Sequence, residues 1–187
     1  MPNPPALLVL ERDDFVVRVE PGRGFWLRGA LPGSGRPWEA VPPPAAGSPS
    51  VQTVVLPGGS RVVEAVWPDG TRVVANPGEP ALDHAGFRLP PRGFAVDGRT
   101  FRAFHLLAGF GQQFQSPSLF VLRSLDGLPL EESTRVAIFR GFGDRAVLVA
   151  NVHGQMQLRG EVITRGRAGF YVPVEREEEV VFHDWYG

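Results

Sequence analysis

The side chains able to do acid–base, nucleophilic or metal chemistry are few and scattered. The four histidines, His84, His105, His153 and His183, are never three or four residues apart, so no local pair has the spacing that places two imidazoles on one metal ion. Cysteine is absent, which excludes disulfides and thiolate metal sites. The Gly-x-Ser-x-Gly elbow of serine hydrolases does not occur, and Gly33-Ser34-Gly35 lies in a Pro-rich stretch. Gly109-Phe-Gly111 and Gly141-Phe-Gly143 lack the Gly-Lys-Ser/Thr continuation of a phosphate loop. They read as bulges or tight turns that aim a Phe at the core. Carboxylates cluster at Asp13-Asp14, Glu131-Glu132 and from Glu175 to Glu179. Paired carboxylates hydrolyse glycosides when they stand roughly 5 to 9 Å apart across a cleft, but neighbours on a strand point to opposite faces. Glu177-Glu178-Glu179 reads as a solvated turn before the last strand. Chemistry would have to converge from distant strands, with Asp13, Glu64, His105 or Asp184 as its carriers. The expectation is no catalytic centre, no cofactor and no metal site.

Aromatic contact is the remaining possibility. Trp26, Trp38, Trp67, Trp185, Tyr171 and Tyr186 have the flat faces that sugar rings and protein partners use. Trp67 alternates with Val63 and Ala65, which assigns it to the core. Trp38 lies in a Pro-rich segment, and Trp185-Tyr186 closes the sequence. Trp38, Trp185 and Tyr186 are therefore the expected glycan or partner contacts.

Strands must position these residues. Short Val- and Phe-rich runs with period-2 alternation recur along the 187 residues, for example RVVEAVW (61–67), TRVVA (71–75) and AVLVANV (146–152). No long window carries a helical stripe. The 23 glycines and 19 prolines mark turns between the runs. Asp69-Gly70 reads as a two-residue hairpin with positive φ at the glycine, and Asp126-Gly127 as a looser loop. The segment 29–50 reads as a long Pro-rich surface loop. No close internal repeat is visible. The predicted fold is all-β: two small antiparallel β-sandwich domains in tandem, over 1–107 and 118–187, with a linker at 108–117.

All 19 basic residues are arginine, and 20 acidic residues give a net charge of −1. That balance argues against a nucleic-acid partner. No apolar run is long enough to cross a bilayer as a helix, and no signal peptide is visible at the start. A soluble chain of undetermined compartment is expected.

Two phrases carry a family likeness. Trp67-Pro-Asp-Gly-Thr-Arg-Val-Val-Ala-Asn76, followed by Leu89-Pro-Pro-Arg-Gly-Phe94, resembles the sandwich that follows the catalytic barrel in several glycoside hydrolases. Ser124-Leu-Asp-Gly-Leu-Pro-Leu130 with Ser133 and the strand Arg135 to Phe139 is similar to a hairpin of C-terminal β-domains in such enzymes. The resemblance implies a non-catalytic accessory region that packs on a catalytic domain or weakly holds glycan. It carries over no functional residue, because the barrel that bears the chemistry is missing. A protein-interaction or structural β-module without a carbohydrate role is the alternative, and a small enzyme a third reading.

Overall fold

Alternating Val and Phe runs bounded by Gly, Pro and Asp leave little choice but strands. The computed structural model describes residues 8–12, 15–20, 24–30, 37–40 and 49–185. Among them are eighteen strands and no helix, so the all-β class stands. The strand pairs described below are antiparallel. The chain divides into two compact units, Met1–Asp97 and Gly98–Gly187.

In the first unit, β1 (Leu8–Glu11), β2 (Phe15–Glu20), β3 (Gly24–Ala30) and β4 (Pro37–Ala40) form one sheet in that order. The segment 29–50 is therefore not all loop. Ala30 pairs with Pro37 and Leu27 with Ala40. A proline is tolerated as the first residue of an edge strand, where its missing N–H removes no ladder bond. Residues 31–36 and 41–48 of that segment lie outside the described residues. Next come β5 (Ser50–Val55), β6 (Arg61–Val66), β7 (Arg72–Ala75), the short hairpin of β8 (Leu82–His84) and β9 (Phe87–Leu89), and β10 (Phe94–Asp97). β5, β6, β7 and β10 lie side by side. Val62, Val73, Ala75, Phe94 and Val96 are fully buried, and Phe15 of β2 meets Phe94 edge-on at 5.8 Å. Trp67 is buried as its alternation required.

The second unit contains β11 (Phe101–Gly109), β12 (Gln112–Ser124), β13 (Arg135–Phe142), β14 (Ala146–Val149), β15 (Gln155–Leu158), β16 (Glu161–Thr164), β17 (Phe170–Pro173) and β18 (Glu177–His183). Its main sheet runs β11-β12-β13-β18-β15-β16, and β14 pairs with β17 separately. The Phe170 and Phe182 rings, 5.3 Å apart, make a contact between these two sheets. The outer edge of β14 is closed by a side chain. The Gln112 amide donates to the Ala146 carbonyl at 3.0 Å and accepts from the Leu148 N–H at 2.7 Å.

Two expectations need correction. The segment 108–117 is not a linker. It is the tip of the β11–β12 hairpin, where Gly109 pairs with Gln112, and the register then shifts between Leu106 and Ala108 to absorb extra residues of β12. The Gly and Gln content looked like a break, yet Phe104, Phe114 and Phe120 cluster there with ring separations of 5.8 to 6.1 Å. The boundary between the units falls instead at Asp97 and Gly98. Asp69-Gly70 does not make a two-residue turn. The Gly70 N–H donates to the Trp67 carbonyl and the Trp67 N–H to the Thr71 carbonyl, both at 2.9 Å. This is a three-residue loop, a type I turn with Pro68 second, closed by Gly70 at φ +89°. No close repeat appears, but one local motif recurs. In each unit a buried asparagine just after a strand donates to two backbone carbonyls and accepts from the N–H two residues on. Asn76 reaches Pro80 and Pro90 and accepts from Gly78. Asn151 reaches Leu130 and Ser133 and accepts from His153. A hairpin with an X-Gly turn follows in both units, Ala85-Gly86 and Arg159-Gly160, and then a Gly-Phe strand pairs back on the strand before the asparagine. The pattern escapes the sequence because the spacings differ by one residue before the turn and two after it, and because Asn76 bonds carbonyls that follow it while Asn151 bonds carbonyls that precede it.

Candidate functional site

The turn Asn151 to Gly154 is held rigidly. Beyond the bonds of Asn151, the Val152 N–H donates to the Glu131 carbonyl at 2.8 Å. His153 bridges two further segments: Nδ1 lies 3.0 Å from Asp184 Oδ1 and Nε2 lies 3.1 Å from the Glu132 carbonyl oxygen. Each ring nitrogen lies within hydrogen-bond distance of an oxygen, so the imidazole sits between the Glu132 backbone and the residues after β18. Gly154 then faces Trp185. A Cβ built on Gly154 would stand 2.2 Å from indole Cδ1 and Nε1, so only glycine lets the ring settle on this backbone. The indole stays 56% exposed. Beside it, the Asp184 side chain is 80% exposed. The result is a half-exposed aromatic face on a hydrogen-bonded turn, with an exposed carboxylate on the preceding residue. That arrangement can stack on an apolar or sugar-ring face while accepting a hydroxyl hydrogen bond.

The backbone of Trp38 lies in β4, while its side chain and all of Tyr186 lie outside the described residues, as does Asp13. Tyr171, 57% exposed on β17, is a further exposed aromatic. His105 is fully buried and meets the Phe142 ring edge-on at 5.3 Å, so it has no access to a substrate.

Glu64, buried on β6, anchors a polar cluster of the first unit. It accepts from Gln52 Nε2 at 2.9 Å and from Arg72 at 2.6 Å, and His84 Nε2 lies 2.7 Å away. Register explains the convergence: Gln52 stands directly opposite Glu64, and Arg72 is its diagonal neighbour on β7. Burial alone would raise the carboxyl's pKa. The bonds from Gln52, His84 and Arg72 and the guanidinium charge outweigh it and hold the pKa at about 2. Such a group stays ionised and fully bonded, which suits a structural tie and not a general acid. Asp126 plays the same part in the second unit. Ser124, Ser133 and Thr134 hydroxyls and the Thr134 and Leu128 N–H groups all donate to it. Its pKa is pushed well below the usual carboxylate range because the Ser133, Thr134 and Ser124 donors outweigh desolvation. The Asp-Gly-x-Pro phrase is thus loop-locking grammar.

The run Glu177-Glu178-Glu179 is no turn. It opens β18, where Glu178 pairs with Arg159 and Glu179 with Arg135. Among the described residues, no three His, Asp or Glu side chains converge as a metal site would require, and no helix is long and apolar enough to cross a membrane. A shallow cleft of about 290 Å³ sits beside the Asn76 turn, between Gly59–Arg61 and Pro77–Pro80. Comparison of the chain with protein-family models, curated proteins and solved structures finds no match.

Proposed function

We propose that this chain is a non-catalytic accessory module built of tandem β-sandwiches, and that it acts by contact through Trp185. Weak binding of glycan, in a carbohydrate-active assembly, is the reading we favour. The observation that carries it is the half-exposed indole seated on Gly154. The arrangement of the carboxylates supports a non-catalytic role: Glu64 and Asp126 are saturated by donors, and each ring nitrogen of His153 lies within hydrogen-bond distance of an oxygen.

Titration with soluble oligosaccharides of several linkages, followed by two-dimensional NMR, tests the reading. Saturable shifts at the Trp185 indole, lost in Trp185→Ala, are expected. No response to any glycan, with Trp185→Ala instead abolishing capture of a co-expressed catalytic barrel, would favour the protein-interaction alternative. Turnover of aryl glycosides that disappears on changing one acidic residue would overturn both.

A further inference from the structure

Strands that end a sheet are commonly blunted by charge, proline or a cover. In this chain β1 carries Glu11, β4 carries Pro37 and Glu39, β16 carries Glu161 and β17 ends in Pro173. The edge of β14 is closed by Gln112. β5 departs from this pattern. Its sequence Ser-Val-Gln-Thr-Val-Val has neither charge nor proline, five of its six residues are exposed, and among the described residues only β6 pairs with it.

We propose that β5 is a self-association edge, on which a second copy of this chain adds its own β5 antiparallel. The register follows from symmetry. A two-fold axis perpendicular to a continuous sheet keeps equivalent side chains on the same face, so it must pass through one residue position. Centred on Thr53, the axis sets Thr53 against Thr53, Val51 against Val55 and Gln52 against Val54. Val51 and Val55, 37% and 64% exposed, then cover each other. Thr–Thr and Val–Val cross-strand pairs are favourable. No like charges meet along the strand, and a net charge of −1 leaves little repulsion between copies. The contact is an isologous one. Five pairs bury less than a standard interface, so the dimer forms reversibly with concentration and is not obligate.

Sedimentation across a concentration series tests this on the full chain. The unchanged protein is expected to show a monomer–dimer equilibrium. Thr53→Glu and Thr53→Arg each set like charges face to face on the axis, and each is expected to be monomeric. Mixing the two variants is expected to restore a dimer containing one of each. Thr53 is exposed, so circular dichroism of both variants should match the parent. A monomer at every concentration, or a dimer indifferent to both substitutions, would overturn the proposal.

Discussion

At the scale of single residues, the two saturated carboxylates teach the most. Glu64 has a pKa of about 2 in place of the ordinary 4.5. A depressed value means the ionised group stabilises the fold at every pH above 4.5, and the contribution fades as pH falls towards 2. Glu64→Gln removes it. The gap in urea midpoint between parent and variant should therefore be widest near neutrality and shrink in acid. A gap that does not change with pH would show that burial shape, and not charge, makes Glu64 useful. Gly154 gives the complementary case. Gly154→Ala drives a methyl into the Trp185 ring, but the ring is exposed and able to move. The expected cost in stability is small, below about 1 kcal/mol, while indole fluorescence shifts to the red and any Trp185-dependent binding is lost. The exposure of Trp185 was legible in the sequence because an aromatic outside the alternating runs has no core to enter. Gly154 was not, since one glycine among many gives no sign of what lies on it.

At the scale of elements, strands were legible and turns only partly so. Period-2 runs such as Arg61 to Val66 declare themselves, because a buried face needs every second residue apolar. The Asp-Gly rule failed in an instructive way. Asp69-Gly70 belongs to a three-residue loop, whereas the true two-residue turns are Ala85-Gly86, Phe110-Gly111 and Arg159-Gly160, with φ near +50° at each first residue. At 110 the strain is offset by contact, since the Phe ring meets Phe104 at 5.3 Å and lies 4.4 Å from the Arg102 guanidinium. Tertiary packing thus overrides local preference. Gly70 has open space around it, so Gly70→Val meets no clash and costs only backbone strain. A loss of about 1 to 2 kcal/mol is expected, readable as a lowered melting temperature, and an unchanged value would show that the loop re-forms around the new residue. The partners of Glu64 are not legible in the sequence because they come from three other strands: Gln52 and Arg72 reach it through register, and His84 from a hairpin that does not pair with β6.

At the scale of the whole molecule, composition set the class and little more. Far-UV circular dichroism should show antiparallel sheet with almost no helical signal, and a helix content above about a quarter would contradict the fold. The division of the chain was misjudged because a hairpin tip rich in Gly and Gln looks like a linker when the Phe residues around it are read one by one. Function was the least legible part, since a contact surface leaves no spacing rule of the kind a nucleophile or metal site does. The order of strands in the second unit carries one more consequence, in the language of folding kinetics. β18, the last strand in the sequence, lies between β13 and β15, with Arg135 facing Val181 and Met156 facing Phe182. The centre of that sheet is therefore completed last and across a long intervening chain, a non-local closure that is slow compared with forming hairpins. Asp184 and Trp185 ride directly behind that strand. The rate at which the indole acquires its seat on Gly154 then reports the rate at which the whole unit folds.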